Sequence, residues 1–539
     1  MNTLRIQTLI LPALILVTPF LVFLNYNSYC LTCAETWIAL GGLTGLAMIC
    51  SVIMLLAGRI VSGLIMSVLI TAFIDIQFTP RNWMDWTDEW AAVLLFSGMQ
   101  TLVLSLFLKE KFYTIAAVVF VTFFAVTVLQ LFLTSKGKDA LFAHHEPGSH
   151  APPRIIHLIL DGHIGVEGIP TDIEGGWATR NLISQFYQKN GFQLFGGAFS
   201  RYFKTHLSIQ TMVNFSAETD NVHYDGTGFP LLRNPYFELL SQRNYRIEAL
   251  STGFLDFCSA STVAIATCQY DFGTLHNFAN LEMPVSRKFQ VVISRYLNQS
   301  TVVSFLIRNV ASVTSLRSLT WAFELDRMRL NSLNALHNLS VLQKDISLLP
   351  RGTALVAHLM LPHAPYVARA DCSIRPPGQQ FLWHDNKASL APADGPTNTM
   401  PSREGRYRLY FEQLQCLYLR LDELFDRMQA AGIYDDSIIL LHGDHGSRIV
   451  ITEPTAKNRQ ALTKQDLLDG FSTLFAMKLP GKPGGYDKSP RPLEQLFANF
   501  VFEAGLTPTK IPYEKSKPYV YLITDHTVAP IRIPYTPPE

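Results

Sequence analysis

A threonine opens an otherwise apolar helical pattern in the stretch SRYFKTHLSIQTMVNF, residues 200–215. Thr205 follows Lys204 and precedes Ser208 by three positions. A threonine at a helix start is commonly an N-cap, whose hydroxyl accepts a hydrogen bond from the first turn. The same hydroxyl can instead be a nucleophile, because the free N–H groups of a helix N-terminus bind anions such as phosphate. This window alone favours the cap.

Metal-ligating residue types follow three other apolar runs. Asp161 ends the run RIIHLILDGH, and the segment HLMLPHAPY contains His358 and His363. The segment HGDHG contains Asp444 and His445. Each has a local alternative, since an aspartate can cap a helix and a histidine or an Asp-His-Gly sequence can belong to a loop. Together, two carboxylates and an imidazole are the ligand types of a divalent metal.

The apolar runs predict the strands that would bring these residues together. Continuous Ile, Leu and Val runs in RIIHLIL, RIEAL, TALVAHLML and SIILLHG are typical of buried strands in a parallel sheet. Helical stretches such as RYRLYFEQLQCLYLRLDELFDRMQAAG separate them. This alternation predicts an α/β sandwich, in which ligands bind at the carboxyl ends of the strands.

A metal at those strand ends changes the interpretation of Thr205. If its helix points toward the same place, a bound metal lowers the pKa of the hydroxyl so that it can attack. Thr205 would then be both a metal ligand and the nucleophile. Lys204 and Arg448 are candidate contacts of a phosphate group, or alternatively solvated surface charges.

The composition indicates membrane segments. Of 539 residues, 48% are hydrophobic, and the formal net charge of +1 argues against a nucleic-acid binder. Five apolar runs before residue 135 each approach the ~20 residues that cross a bilayer. They are residues 8–24, 36–57, 60–76, 90–108 and 112–134. We predict five transmembrane helices, with a cleavable signal peptide as the alternative for the first run.

Charges between the runs predict the orientation. Four basic residues fall on one side of the membrane: Arg5, Arg59, Lys109 and Lys111. Three acidic residues fall on the other: Asp85, Asp88 and Glu89. The positive-inside rule therefore places the N-terminus in the cytoplasm, and five crossings leave the rest of the chain outside.

The chain accordingly divides into three predicted parts. Residues 1–134 form the transmembrane domain, 135–154 a linker rich in Lys, His, Pro and Gly, and 155–539 an extracytoplasmic domain. Three linker histidines could bind a metal but also fit a solvated segment: His144, His145 and His150.

Cysteine spacing agrees with an oxidising compartment. We predict two bridges in the extracytoplasmic domain and an oxidised pair between the first two apolar runs. These are Cys258–Cys268, Cys372–Cys416 and Cys30/Cys33. A Cys-x-x-C pair such as the last can alternatively bind a metal or act in redox chemistry.

These motifs resemble the alkaline phosphatase/sulfatase superfamily. Within it they resemble the bacterial envelope enzymes with five transmembrane helices, the phosphoethanolamine transferases and the lipoteichoic-acid synthases (phosphoglycerol transferases). KTHLS is similar to the Thr-x-x-Ser nucleophile segment of that family. LDELFDRMQAAGIYDDSIILLHGDHG is similar to the superfamily's helix, Gly-x-Tyr-Asp turn, strand and Asp-His-Gly ending.

The resemblance implies a set of site residues. The implied metal ligands are Asp161, Thr205, Asp444 and His445. His363 of the HAPY segment is placed beside the transferred group. The predicted substrate-binding residues are Lys204, Arg448 and His358. The implied cofactor is a divalent metal, Zn²⁺ first, with Mn²⁺ or Mg²⁺ as alternatives.

The sequence departs from the family pattern in three places. Those transferases usually have Glu where this chain has Asp161, and no histidine follows Asp-His-Gly before His526. The Cys/Ser-x-Pro-x-Arg motif that sulfatases need does not occur around Thr205, which counts against sulfate-ester hydrolysis.

The implied reaction is a double displacement. Thr205 attacks a phosphodiester head group of a membrane phospholipid, and an acceptor hydroxyl on an envelope glycan or lipid then takes phosphoethanolamine or phosphoglycerol from the phosphothreonine. The implied location is the bacterial inner (cytoplasmic) membrane, with the catalytic domain in the periplasm. Two alternatives stay open: a membrane-tethered phosphatase, phosphodiesterase or sulfatase-like hydrolase, and a non-catalytic membrane scaffold.

Overall fold

The computed structural model divides the chain into two units. Unit 1 contains Met1–Lys138 and Thr274–Asp326, and unit 2 contains Asp139–Gly273 and Arg327–Glu539. The residues that the structure describes are 3–78, 88–108, 110–134, 151–218, 229–231, 233–259, 261–271, 275–279, 281, 283–297, 299–302, 327–375, 399–512, 517–522 and 530–537. Some residues used in the sequence predictions lie outside these ranges: Asp85, Lys109, the three linker histidines His144, His145 and His150, and His526.

Unit 1 begins with five consecutive apolar helices, one for each predicted run. They are α1 (Thr3–Tyr26), α2 (Ala34–Leu56), α3 (Arg59–Phe78), α4 (Asp88–Leu108) and α5 (Glu110–Thr134). Four are long and apolar enough to cross a membrane, and the apolar part of α4, Val93–Leu108, is shorter. The prediction of an apolar helical N-terminal domain is confirmed.

The first helices pack around a small apolar core. α1 contacts α2, α3 and α5. Phe73 on α3 meets Phe120 on α5 edge to face, with ring centroids 4.9 Å apart. Outward-facing side chains of these helices are also apolar: Trp37 and Ile38 on α2 are 64% and 51% exposed. Apolar side chains on both the inner and the outer surface are typical of helices surrounded by lipid.

Unit 1 also contains a segment from the middle of the chain. Thr274–Asp326 lies with the apolar helices and contributes α9 (Leu275–Phe278) and α10 (Val285–Leu297). The sequence-based division had assigned these residues to the extracytoplasmic domain. The boundaries at residues 134 and 154 stay predictions.

Unit 2 is built on an eight-stranded mixed sheet with the order β5-β4-β6-β1-β7-β8-β2-β9. The strands from β5 to β7 in this order are parallel, and β8 runs against its neighbours. The strands are β1 (Ile155–Leu160), β2 (Gln193–Phe195), β4 (Arg246–Thr252), β5 (Thr267–Asp271), β6 (Thr353–Leu359), β7 (Ile438–Gly443), β8 (Phe475–Lys478) and β9 (Gly485–Asp487). All four strands predicted from apolar runs are present, as β1, β4, β6 and β7.

Helices pack against this sheet in two groups. Three of them share an apolar core with alternate strand residues: α7 (Thr205–Val213), α8 (Pro235–Gln242) and α14 (Leu493–Glu503). Three others pack together: α6 (Gly176–Lys189), α11 (Arg327–Asp345) and α12 (Met400–Ala430). Of these, α12 contacts both α6 and α11, and α11 contacts β6. The short α13 (Lys464–Phe471) precedes β8. The predicted α/β sandwich is confirmed.

Short strands and disulfides complete the described structure. Two two-stranded pairs join β3 (Ala198–Phe199) with β10 (Arg491–Pro492) and β11 (Tyr519–Leu522) with β12 (Ile531–Pro534). Disulfides link Cys258 to Cys268 and Cys372 to Cys416 in unit 2, and Cys30 to Cys33 in unit 1. The predicted connectivity is confirmed.

Candidate metal centre

Three neighbouring parallel strands end at the same edge of the sheet. Leu160 at the end of β1 pairs with Leu359 on β6 and with Gly443 on β7. The next residues along β1 and β7 are Asp161 and Asp444, so strand register alone brings their two carboxylates together. Asp161 is held there by its backbone N–H, which donates to the Leu359 carbonyl at 2.9 Å.

The two carboxylates and one imidazole form a cluster of donor atoms. One ligand atom each from Asp161, Asp444 and His445 lies within 4.8 Å of the others, and all three residues are buried. His445 Nε2 is 3.1 Å from Asp444 Oδ2 and 3.7 Å from Asp161 Oδ1. Those same two oxygens are buried and have no hydrogen-bond partner among the described residues. Buried carboxylate oxygens without partners are costly, so the donor set fits a divalent cation.

Backbone hydrogen bonds orient the ligand atoms. Asp444 Oδ1 accepts from the N–H groups of Gly162 and His445, each at 2.9 Å, which leaves Oδ2 to face the cluster. His445 Nδ1 lies 2.8 Å from the Gly446 carbonyl, an acceptor that places the ring proton on Nδ1. Nε2 therefore presents its lone pair to the cluster, which is the tautomer that a metal requires.

Thr205 is the first residue of α7, and Lys204 occupies the N-cap position. The interpretation of Thr205 as an N-cap is therefore wrong. Its side chain is buried and directed at the cluster: Oγ1 donates to Asp161 Oδ2 at 3.5 Å and lies 3.4 Å from His445 Nε2. Ser208 fastens the same helix to the end of β7, because its hydroxyl donates to the Asp444 carbonyl.

Two histidines from β6 and its following loop approach Asp161. His358 donates from Nε2 to Asp161 Oδ2 at 3.0 Å, and its Nδ1 lies 2.8 Å from the Thr252 hydroxyl at the end of β4. His363 follows the strand, and its Nε2 lies 3.9 Å from Asp161 Oδ1. Both ring nitrogens of the buried His358 are thus occupied, whereas Nε2 of His363 faces the cluster.

Arg448 brings a positive charge to the same edge. Its backbone is left-handed, with φ 58°, and its Nε donates to the Phe203 carbonyl at 2.8 Å. The guanidinium carbon lies 5.0 Å from the centre of the Phe203 ring. These contacts fix the side chain on the residues that lead into Thr205. Within the described part of the chain, no hydrogen bond or ion pair joins the Lys204 side chain to the cluster.

Both carboxylates are ionised at neutral pH. Burial and the Asp444 carboxylate raise the pKa of Asp161, but His363 and the hydrogen bond from His358 outweigh them and hold that pKa below its ordinary value. Burial also raises the pKa of Asp444, but His445, His358 and Arg448 together hold that pKa below its ordinary value. The site therefore presents two negative charges to a cation.

Comparisons with known proteins agree with the motifs. No family model matches the chain. Over 85 residues the chain is 33% identical to a lipoteichoic acid synthase of Staphylococcus saprophyticus, a match that covers 15% of this chain and 13% of that relative's length. The similarity is confined to this segment, and the chain spans about an eighth of that relative's length in the match.

Solved structures similar to the chain include two from other bacteria. One is the C-terminal periplasmic domain of EcEptC from Escherichia coli in complex with Zn, with 12% identity, 72% of this chain and 93% of that chain covered, and a TM-score of 0.41. The other is a protein in the alkaline phosphatase superfamily from Vibrio parahaemolyticus, with 11% identity, 71% and 75% covered, and a TM-score of 0.36.

Sequence reasoning missed a buried network behind the His445–Arg448 segment. The Asp469 carboxylate on α13 accepts from Arg403 Nε at 2.7 Å, from Gln465 Nε2 at 2.8 Å and from the Tyr407 hydroxyl. The Asp469 carbonyl accepts from the Arg448 N–H at 2.9 Å. An aspartate in the helical stretch KQDLLDGF resembles any surface carboxylate, so the sequence contained no signal for this role.

Gln413 on α12 was missed for the same reason. Its Nε2 donates to the carbonyls of Pro362 and His363, each at 3.0 Å, and its Oε1 accepts from Val367 N at 2.8 Å. One amide side chain thereby holds the loop that carries His363. A glutamine in an amphipathic helix is ordinarily a solvated residue, and only its burial reveals the contact.

Proposed function

We propose that the chain is a metal-dependent phosphotransferase that moves a phospho-alcohol group from a membrane phospholipid to an envelope glycan or lipid. One observation carries the proposal: the Thr205 hydroxyl lies at the N-terminus of a helix, 3.5 Å or less from a carboxylate and an imidazole of the candidate metal centre. A hydroxyl, a candidate cation site and a helix N-terminus are thus combined in one place, which supports the roles of nucleophile, metal centre and anion site.

The first step forms a covalent intermediate. Thr205 Oγ1 attacks the phosphorus of the lipid phosphodiester and gives up its proton. Asp161 Oδ2, which accepts a hydrogen bond from this hydroxyl, is the proposed acceptor of that proton. The bond from phosphorus to the lipid alcohol oxygen breaks, the alcohol leaves with a proton, and Thr205 holds the head group as a phosphodiester. A divalent cation held by Asp161, Thr205, Asp444 and His445, Zn²⁺ first and Mn²⁺ or Mg²⁺ as alternatives, would lower the pKa of the threonine hydroxyl and offset negative charge.

The second step reverses the first with a new alcohol. A hydroxyl of the acceptor attacks the same phosphorus, the bond to Thr205 Oγ1 breaks, and the threonine regains its proton. Catalysis of phosphoryl transfer depends mostly on stabilising charge on the equatorial oxygens. We assign that role to Arg448, to Lys204 and to the first free N–H groups of α7. His363 Nε2, which faces the cluster, contacts the transferred group.

His358 receives a different role from the one expected. Substrate binding requires a free ring nitrogen, and both nitrogens of this buried side chain are occupied by Asp161 and Thr252. We therefore propose that His358 positions Asp161. A donor hydrogen bond to one carboxylate oxygen of Asp161 leaves the other, Oδ1, oriented toward His445.

The location follows from the number of crossings. We propose that all five apolar helices cross the membrane, so that the end of α5 lies on the opposite side from the N-terminus. We propose that the membrane is the bacterial inner membrane and that unit 2 lies in the periplasm, where its two disulfides are stable. A lipid donor would then lie in the membrane that anchors the enzyme.

The test is donor turnover by the full-length protein in vesicles. Phosphatidylethanolamine and phosphatidylglycerol are supplied separately with Zn²⁺, and the intact mass of the protein is measured. We expect an adduct on Thr205 whose mass identifies the head group. Thr205→Ala should abolish both adduct and lipid turnover, and Thr205→Ser should retain some of each.

Thr211→Ala is the matched control. Thr211 is also a buried threonine on α7, but its hydroxyl donates to the carbonyls of Leu207 and Ser208 within the helix. This variant should turn over lipid nearly as the wild type does. Near wild-type turnover by a folded Thr205→Ala protein would refute the proposal, and release of free head group with every acceptor offered would favour the hydrolase alternative.

A further inference from the structure

A buried carboxylate on the third apolar helix binds the segment that follows α10. Asp75 lies three residues before the end of α3 and is almost fully buried. Its oxygens accept from Ser300 Oγ at 2.5 Å, from Thr301 N at 3.2 Å and from Val302 N at 3.1 Å, and also from the Thr301 hydroxyl. A carboxylate within an apolar helix is costly unless it is satisfied in this way.

A second contact joins α10 itself to the first apolar helix. Tyr296, near the end of α10, is buried between Phe20 and Phe23 of α1, with ring centroids 5.2 and 5.6 Å away. α10 also packs against α2. The segment from the middle of the chain is therefore fixed to three of the apolar helices of unit 1.

Both contacts lie near the C-terminal ends of apolar helices, which the proposed five crossings put on the same face of the membrane. α1 and α3 cross in the same direction, so Phe78 ends α3 on the side where Tyr26 ends α1. At 1.5 Å per residue, Phe20 lies about 9 Å and Asp75 about 5 Å from these helix ends. Interfacial helices bury their apolar face at about this depth, roughly 5–10 Å.

The surface of α10 has the composition of such a helix. Its residues Val285–Leu297 include three basic and no acidic side chains. Four apolar residues spaced four apart are partly exposed: Val285, Phe289, Ile293 and Leu297. α10 packs against α2, whose Trp37 and Ile38 are themselves exposed apolar residues.

We propose that Val285–Leu297 is an interfacial membrane helix, with the stripe of Val285, Phe289, Ile293 and Leu297 among the acyl chains of the outer leaflet and its basic side chains in the anionic head-group layer. Asp75 anchors it to the spanning helices. The hydrophobic effect favours burial of the stripe in lipid, and anionic phospholipids attract the basic side chains. This contact is independent of the chemistry at Thr205.

The test is site-directed fluorescence quenching in the full-length protein. Cys50 is the free cysteine of the described residues, so Cys50→Ala permits a single labelled cysteine at Ile293→Cys with the disulfides intact. Both labelled proteins are placed in vesicles of phosphatidylethanolamine and phosphatidylglycerol. Doxyl lipids should quench the label at Ile293→Cys at least about threefold more strongly than a label at Leu419→Cys. Aqueous acrylamide should quench the label at Ile293→Cys more weakly than the one at Leu419→Cys. Leu419 is the matched control, because it is a 45% exposed leucine on α12 of unit 2.

Two results would overturn the inference. Acrylamide quenching at Ile293 equal to that at Leu419 means that the stripe faces water. Protection from both quenchers means that protein covers it, either unit 2 or a second copy. A further variant tests the anchor: Asp75→Ala should reduce doxyl quenching at Ile293, whereas Ser67→Ala, which removes a hydroxyl that bonds the Gly98 carbonyl between α3 and α4, should not.

Discussion

Charge is the main constraint on the individual residues of the candidate site. Asp161 and Asp444 are buried, ionised and close together, an arrangement that repulsion would disfavour without a cation. The surrounding hydrogen-bond donors offset only part of this repulsion. His358 and the backbone N–H groups of Gly162 and His445 satisfy one oxygen of each carboxylate, and the second oxygen of each stays unpartnered among the described residues.

A first prediction concerns Asp444→Asn. The amide keeps the size of the side chain and one oxygen for the two backbone N–H groups, but it replaces the negative Oδ2 with an NH₂ group that cannot bind a metal. Bound metal in the purified protein, measured by elemental mass spectrometry after dialysis, should fall at least about tenfold, and activity with it.

Asp466→Asn is the control for this measurement. Asp466 is likewise buried and accepts from the backbone N–H groups of Ile451 and Thr452, but it caps α13 and lies outside the donor cluster. It should lose stability and keep its metal. Equal metal content in Asp444→Asn and the wild type would remove Asp444 from the ligand set.

At the scale of elements, α12 and α13 support the segment that follows β7. Arg403 on α12 and Asp469 on α13 form an ion pair that is almost fully buried, and the Asp469 carbonyl receives the N–H of Arg448. The two helices thereby hold the left-handed turn at Arg448 next to the candidate metal ligand His445. Removing one member of such a buried ion pair is strongly destabilising, because the other charge is left buried without a partner.

The second prediction follows from that asymmetry. Arg403→Leu leaves the Asp469 charge buried without its cation and should cost about 3–5 kcal/mol of unfolding free energy. Adding Asp469→Leu to Arg403→Leu should recover part of this loss, because the unpaired charge is gone. Thermal unfolding of the three proteins checks the order. A double variant less stable than Arg403→Leu would contradict this expectation. It would mean that the remaining hydrogen bonds to Asp469 stabilise the fold by more than its unpaired charge destabilises it.

The third prediction concerns pH and the strand pair β1 and β7. His157 and His442 on these strands have their Nε2 atoms 2.7 Å apart, and burial together with His442 lowers the pKa of His157 well below its ordinary 6.5. The unfolded chain therefore binds a proton that the folded protein excludes. The contribution of His157 to the unfolding free energy is fully present above about pH 6.5. Below that pH it decreases by about 1.4 kcal/mol per pH unit.

Melting curves between pH 7.5 and 5 provide the measurement. His157→Gln removes the titrating group while offering an amide to His442, so its melting temperature should depend less steeply on pH over this range. Identical slopes for the variant and the wild type would mean that other groups cause the acid sensitivity.

At the scale of the whole molecule, an odd number of apolar helices separates the N-terminus from unit 2. The fourth prediction uses reporter fusions. A periplasm-active reporter after residue 140 should be active, and one near Lys109, between α4 and α5, should be inactive. An inactive first fusion, together with an active fusion near Lys109, would contradict the periplasmic placement and, with it, access to envelope acceptors.

Local patterns in the sequence were sufficient to predict many of the elements and candidate site residues of this protein. The apolar runs predicted five helices and the strands β1, β4, β6 and β7, because hydrophobic periodicity reports directly on burial. The chemistry of Asp161, Asp444 and His445 predicted that these side chains form a candidate cation site, and the structure brings them together because residues after neighbouring parallel strands share one edge. The start of α7 at Thr205 was also predicted correctly, together with all three cysteine pairs.

Only the tertiary structure decided how distant residues meet. That His358 binds Asp161 and Thr252 depends on the register of three strands far apart in sequence. Asp469 looks like an ordinary carboxylate in its helix, and Asp75 is an isolated carboxylate in an apolar helix. Their partners come from α12 and from residues 300–302. Periodicity shows that a side chain is buried but not against what, because that depends on packing between segments that the linear pattern does not connect.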